Sequence, residues 1–166
     1  LTGTGYTVSD GTVSAVLAGG AGVNLAKTTS GTVVLSGTNT YAGTTTVSAG
    51  TLTLNGGAAI SDTAGAVDVA SGATLTLGAN ETLSALTSAG TINGAFTLQA
   101  ASYGLTAGQV TANLGTGTLT KSGAGTATLS GTAGATTVNI TGGQLTLGAA
   151  ERLADTAAVT VNGGTL

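Results

Sequence analysis

Nine residues carry all the side-chain charge of this 166-residue chain: Asp10, Asp62, Asp68, Glu81, Glu151 and Asp155 against Lys27, Lys121 and Arg152. Two carboxylates beside a cation could perform acid–base cleavage of a polysaccharide, provided they converge in one groove. The only dense cluster is Glu151-Arg152-x-x-Asp155. Its counterpart one internal repeat earlier, Ala58-Ala59-Ile60-Ser61-Asp62, has neither the Glu nor the Arg. Asp62 and Asp155 each precede Thr-Ala, a setting for an Asx-type turn that satisfies local N–H groups. The acids are therefore expected in turns and on the surface. No catalytic residue is assigned, and no enzyme activity is expected.

Metal and cofactor chemistry is thin as well. The chain has no His and no Cys, which excludes thiol chemistry, haem ligation, the usual zinc sites and a Ser-His-Asp triad. Calcium-binding β-rolls need an Asp in every turn, and here no two acids stand at i, i+2. Gly3-Thr4-Gly5 and Gly115-Thr116-Gly117 precede neither a helix nor a Lys-Ser/Thr pair, so they are not phosphate loops. Three basic residues cannot neutralise a phosphate backbone, which argues against a nucleic-acid partner. Metal sites, cofactor-binding residues and cofactors are all expected to be none.

What must position these few groups is a very small alphabet. Thr, Gly and Ala supply 36, 30 and 29 residues, Pro is absent, and only 5% of residues are charged. Disordered chains combine low hydrophobicity with high charge, whereas this one has a mean hydropathy of +0.44 and a net charge of −3. No run approaches the 18 or so apolar residues of a membrane helix. Tyr6, Tyr41, Tyr103 and Phe96 are too few for the aromatic girdles of a lipid-facing barrel. No charged-then-apolar leader opens the chain, which reads as an internal piece of something longer.

The sequence repeats itself on two scales. Tyr6–Leu17 aligns with Tyr103–Leu114 at an offset of 97, and Leu25-Ala26-Lys27 with Leu119-Thr120-Lys121 at 94. Thr51–Leu54 matches Gln144–Leu147, and Ile60–Ala64 matches Leu153–Ala157, both at 93. The falling offset implies small deletions, expected in loops. The chain reads as one solenoid segment, 1–166, with super-repeat copies 6–75 and 103–166 joined by turns 76–102. Within each copy a Gly followed by an apolar–polar–apolar run starts at Gly11, Gly31, Gly50, Gly72, Gly90, Gly108, Gly125, Gly143 and Gly164. The spacings are 20, 19, 22, 18, 18, 17, 18 and 21 residues, the length of one β-solenoid turn.

Alternation inside the runs predicts strands. In Thr51-Leu52-Thr53-Leu54 and Thr74-Leu75-Thr76-Leu77 the leucines share one face and the threonines the other. Gly and Thr weaken helices, and the doublets Gly19-Gly20, Gly56-Gly57 and Gly142-Gly143 read as corners. Ser84–Ser88 is the least strand-like stretch. The expected fold is all-β: a right-handed parallel β-helix (β-solenoid) of about nine turns of 17–22 residues.

Two stretches carry a family resemblance. Lys121-Ser122-Gly123-Ala124-Gly125-Thr126-Ala127-Thr128-Leu129-Ser130-Gly131 resembles the first half of the autotransporter-associated β-strand repeat. Ser30–Val47, with its Gly37-Thr38-Asn39-Thr40-Tyr41-Ala42-Gly43 centre, resembles a fuller copy that continues into Ser48–Leu52. The second copy has Thr132-Ala133-Gly134-Ala135 and lacks the Asn-Thr-Tyr segment. The resemblance implies a parallel β-helix in the passenger of a bacterial autotransporter or large surface adhesin, outside the cell or on its surface. It brings no catalytic residues with it.

The function expected on these grounds is structural: a stiff, repetitive shaft of an adhesin, or a building block of an extracellular fibre. The expected partners are neighbouring modules of the same array, or further copies stacked head to tail, and matrix or host-surface polymers. No membrane insertion of this segment is expected. An ice-binding solenoid is the first alternative, from outward pairs Thr51/Thr53, Thr74/Thr76 and Thr126/Thr128, interrupted by Thr32/Val34, Thr91/Asn93 and Gln109/Thr111. A polysaccharide-binding or -cleaving β-helix is the second.

Overall fold

The computed structural model describes residues 1–62 and 64–166. Thr63, inside the repeat block Ile60–Ala64, lies outside the described residues. The chain passes through β1 (Tyr6–Val8), β2 (Gly11–Val13), β3 (Leu25–Lys27), β4 (Thr32–Leu35), β5 (Thr44–Val47) and β6 (Thr51–Leu54). It continues through β7 (Ala66–Val69), β8 (Thr74–Leu77), β9 (Glu81–Ser88), β10 (Thr91–Asn93), β11 (Thr97–Leu105) and β12 (Gly108–Val110). The last part holds β13 (Asn113–Leu114), β14 (Thr118–Lys121), β15 (Thr126–Leu129), β16 (Thr137–Ile140), β17 (Gly143–Leu147), β18 (Ala158–Val161) and β19 (Gly164–Thr165). No helix occurs among the described residues.

These strands stack into two long parallel sheets. The first orders β2-β4-β6-β8-β10-β12-β15-β17-β19, and the second β1-β3-β5-β7-β9-β11-β14-β16-β18, with β13 paired to β11. Each strand thus pairs with its equivalent one turn on, which makes a parallel β-solenoid. Nine strands of the first sheet bound eight complete turns. The nine glycine-led runs are the nine strands, and the expectation of about nine turns exceeds the number of turns by that one end strand.

A narrow third ladder closes the cross-section. It includes the bridge Thr2↔Ala18, the pairs Glu81↔Leu98 and Leu98↔Leu114, and the bridges Leu114↔Ala133 and Ala133↔Leu153. Around the middle of the chain this ladder and the second sheet fuse, so β9 and β11 run unbroken around the corner and pair from Glu81↔Leu98 to Ser88↔Leu105. Dropping the corner loop shortens the turns there: Thr91 pairs with Thr74, 17 residues earlier.

Ser84–Ser88 corrects the sequence reading, because it lies inside β9. Its residues pair with β7 on one side and β11 on the other. Leu86 and Ser88 point inward and are buried. Two flanking ladders override the weak strand propensity of Ser and Ala, since β-propensity is mostly a matter of neighbours.

The core is a set of inward columns. Val33, Leu52, Leu75, Ile92, Val110 and Leu129 line up in the first sheet and are all buried. In the second, Leu25, Thr45, Val67, Leu86, Tyr103, Leu119 and Val138 do the same and are buried too. Each such apolar side chain contributes roughly 1.5–3 kcal/mol when fully buried. A single turn buries too little to offset its chain entropy, so the turns are stable only together.

Candidate functional site

The six carboxylates do not converge. Asp10, Asp62, Asp68, Glu151 and Asp155 are exposed, and Asp10 Oδ1 accepts the Thr32 N–H at 3.1 Å. Among the described residues no group of three acids, His or Cys could hold a metal ion. Glu151 and Arg152 line a shallow cavity of about 270 Å³ with Thr132, Ala133, Gly134, Leu153 and Ala154. Asp155 is not among its lining residues, so the dense cluster of the sequence does not close into one site.

Four of the polar residues are instead buried in the solenoid. Lys27 and Lys121 are both fully buried and occupy one inward column: Lys27, Val47, Val69, Ser88, Leu105, Lys121. Lys121 Nζ donates to Ser122 O (2.6 Å), Gly123 O (3.1 Å) and Gly142 O (3.1 Å). Lys27 Nζ donates to Thr29 O, to Thr29 Oγ1 (3.2 Å) and to Ala49 O (3.2 Å). Each ammonium thereby ties the corner of its own turn to the corner of the next. Loss of water around the buried amine lowers the Lys121 pKa from its ordinary value.

Asn39 and Glu81 add side-chain links to the third face, beside the backbone bonds from Thr40 N–H to Leu17 O (2.9 Å) and from Asn39 N–H to Ala58 O (3.0 Å). Asn39 Oδ1 accepts the Leu17 N–H at 2.8 Å, and its Nδ2 donates to Ala59 O at 2.7 Å. Glu81 then accepts the Ala59 N–H at 3.2 Å and the Ile60 N–H at 2.7 Å. Both side chains are buried. Burial, with a smaller contribution from the like charge of Asp62, raises the Glu81 pKa from 4.5 to about 7 against the lowering effect of the two amides.

Tyr41 fills the same corner. Its hydroxyl lies 2.7 Å from Thr45 Oγ1, its ring meets Tyr6 edge-on at 6.1 Å, and burial pushes its pKa up to about 12. In the second copy Ala135, also buried, stands in the shorter Thr132–Ala135 corner. There the chain comes close enough for the backbone bridges at Ala133. Both copies bond this face through the backbone, by Thr40 N–H to Leu17 O (2.9 Å) in the first and Gly134 N–H to Leu114 O (2.9 Å) in the second, and the first adds the Asn39 and Tyr41 side chains.

A second set of clasps lies nearer the surface. Thr44 N–H donates to Asn24 Oδ1 (2.8 Å), Thr97 to Asn80 Oδ1 (2.9 Å), Thr116 to Gln99 Oε1 (3.1 Å) and Thr132 to Asn113 Oδ1 (3.1 Å). Each pair spans one turn. None of these roles was assigned from the sequence, although the signal existed: an Asn, Asp or Gln standing one turn-length before a Thr.

The outward face of the first sheet carries hydroxyls in register. Thr32, Thr51, Thr74 and Thr91 pair in an unbroken column. Gln109 ends it and pairs with Thr128, not Thr126. The Thr126/Thr128 pair is thus displaced by two residues from the alignment that the sequence suggested, because the turn through β12 is paired two residues out of phase.

Residues 25–54 and 119–147 match the family model described as Passenger-associated-transport-repeat. No curated protein and no solved structure matches the chain. The matched segments run from β3 to the end of β6 and from β14 to the end of β17. Each therefore holds one buried lysine and both corners that it joins. Two segments of the chain are thus similar to the passenger-associated-transport-repeat, in line with the autotransporter-associated repeat that the sequence resembles, and each is folded as a stretch of parallel β-solenoid.

Proposed function

We propose that this chain is a load-bearing shaft segment of a bacterial passenger protein, either a spacer in a cell-surface adhesin or a unit of an extracellular fibre. The observation that carries this reading is where the polar chemistry is spent. Lys27, Lys121, Asn39 and Glu81 all join one turn to the next and present nothing outward. Eight turns at one strand spacing each give about 38 Å of rod. Neighbouring modules or further copies stack on it by the same ladder, and the shaft has no catalytic role of its own.

Electron microscopy of the protein as its native cell makes it tests this directly. Rods or filaments whose length grows in steps of this unit are expected. Compact particles with no elongated portion would overturn the reading. A second reading has one observation in its favour, the column Thr32-Thr51-Thr74-Thr91. If that face orders water against ice, a freezing assay will show thermal hysteresis that Thr51→Val and Thr74→Val alter. A freezing curve without hysteresis removes it.

A further inference from the structure

The two repeats leave one matching corner of the third face in different states. In the first, Asn39 N–H donates to Ala58 O at 3.0 Å; in the second, Ala133 N–H donates to Arg152 O at 2.6 Å. Ala58 therefore stands where Arg152 stands, and Ala59 where Leu153 stands, one residue out of step with the sequence alignment of Ile60 with Leu153. Arg152 O and the Ala154 N–H are both spent on Ala133. In a parallel ladder the residue between them turns its own N–H to the opposite side, away from Ala133. The Ala59 N–H faces the same way, and there a carboxyl group of the next turn meets it: Glu81 accepts the Ala59 N–H at 3.2 Å and the Ile60 N–H at 2.7 Å. Among the described residues nothing accepts the Leu153 N–H.

A cation belongs to the same corner. Lys27 and Lys121 are fully buried, so Arg152 is the one basic side chain with access to solvent among the described residues. Its Nε is shut away from water and has no hydrogen-bond partner. Arg152 and Leu153 both line the shallow cavity of about 270 Å³, with Glu151 exposed beside them. An unpaired guanidinium N–H and an unpaired backbone N–H in adjoining residues are a donor pair suited to the two oxygens of a carboxylate.

We propose that the Arg152–Leu153 corner is a carboxylate receptor, and that its occupant is an Asp or Glu side chain of the solenoid turn that stacks against it in an assembled rod. Glu81 is the precedent, an acid of one turn seated on the amides of the turn before. The receptor stands on its own geometry; the occupant rests on the shaft reading. In the first repeat the acid is already in place and the joint is complete. In the second, the donors wait for an acid from a neighbouring turn, and Arg152 makes the joint selective for one that carries it.

NMR titration of the isotope-labelled chain with sodium acetate, at an ionic strength held constant with sodium chloride, reads the receptor group by group. The Leu153 N–H and Arg152 Nε–H signals should shift and saturate together, with a Kd on the order of 10–100 mM. Ala59 and Ile60, already bonded to Glu81, should stay still. Arg152→Gln should weaken binding about fivefold or more. Shifts that never saturate, or that survive Arg152→Gln undiminished, would overturn the receptor. Sodium glucuronate should bind no better than acetate; binding about tenfold tighter would overturn the side-chain occupant in favour of a sugar acid. Rods in the microscope with an unresponsive corner would remove the receptor and leave the shaft. A responsive corner on a compact particle would remove the shaft, and the proposed occupant with it.

Discussion

Lys27 and Lys121 sit on one inward column of the second sheet, five strands apart, and each reaches a carbonyl of the following turn, Ala49 O at 3.2 Å and Gly142 O at 3.1 Å. A buried ammonium surrounded by carbonyl oxygens is a built-in cation that cross-links two turns. It also recurs at the spacing of the super-repeat, so each module brings its own.

Removing one clamp takes the charge-assisted hydrogen bonds of a buried ammonium away from the part-buried corners of two turns. Lys121→Met should cost about 2–3 kcal/mol in urea unfolding, and Lys27→Met a similar amount. The two sites are about 24 Å apart along the rod, so the double variant should lose the sum of both. A double variant no worse than either single one would mean that the clamps are not independent.

Asn39 satisfies a donor on one turn and an acceptor on the next. Asn39→Ala orphans the Leu17 N–H and Ala59 O together and should cost about 2 kcal/mol or more. The matching change in the second copy, Ala133→Gly, removes no polar partner. Chemical denaturation should therefore rank Asn39→Ala well below Ala133→Gly in midpoint.

Glu81 sets a pH dependence of global stability. Its folded pKa, about 7, lies above the ordinary 4.5, so the folded state binds more protons than the unfolded state between those values. Stability from this group is fully present below about 4.5 and is lost as pH rises through about 7, on the order of 2 kcal/mol. Urea midpoints measured from pH 4 to 9 should fall across that window. Glu81→Gln should flatten the fall.

Gly143 enters β17 with φ of 61°, and a Cβ there would stand 2.5 Å from Gly123 O and 2.8 Å from Lys121 Nζ. Gly143→Ala should therefore cost about 1–3 kcal/mol from backbone strain and disturb the clamp as well. Gly20 has open space around it and no positive φ, so Gly20→Ala should change the thermal midpoint little. Equal losses at the two positions would sink the idea that the β17 entry is sterically fixed.

The strands and the solenoid were legible because their cause is local and periodic. Thr51-Leu52-Thr53-Leu54 states which side is dry, and recurrence every 17–22 residues states that the next turn covers it. Ser84–Ser88 was not legible, since only pairing to β7 and β11 makes a strand of such residues. Nor was the register at Gln109, which pairs with Thr128 and displaces the following threonine pair by two residues.

The sequence by itself determined the architecture, the period, the kinship of the two repeats and the poverty of catalytic groups. Tertiary structure alone decided what the charged and amide side chains do. Lys27, Lys121, Asn39 and Glu81 read as ordinary polar residues until stacking places a bare carbonyl or amide of another turn, some twenty residues away, beside each one. Whether a polar side chain faces water or an orphaned backbone group depends on which turn lies over it, and a local pattern of residue types does not contain that information.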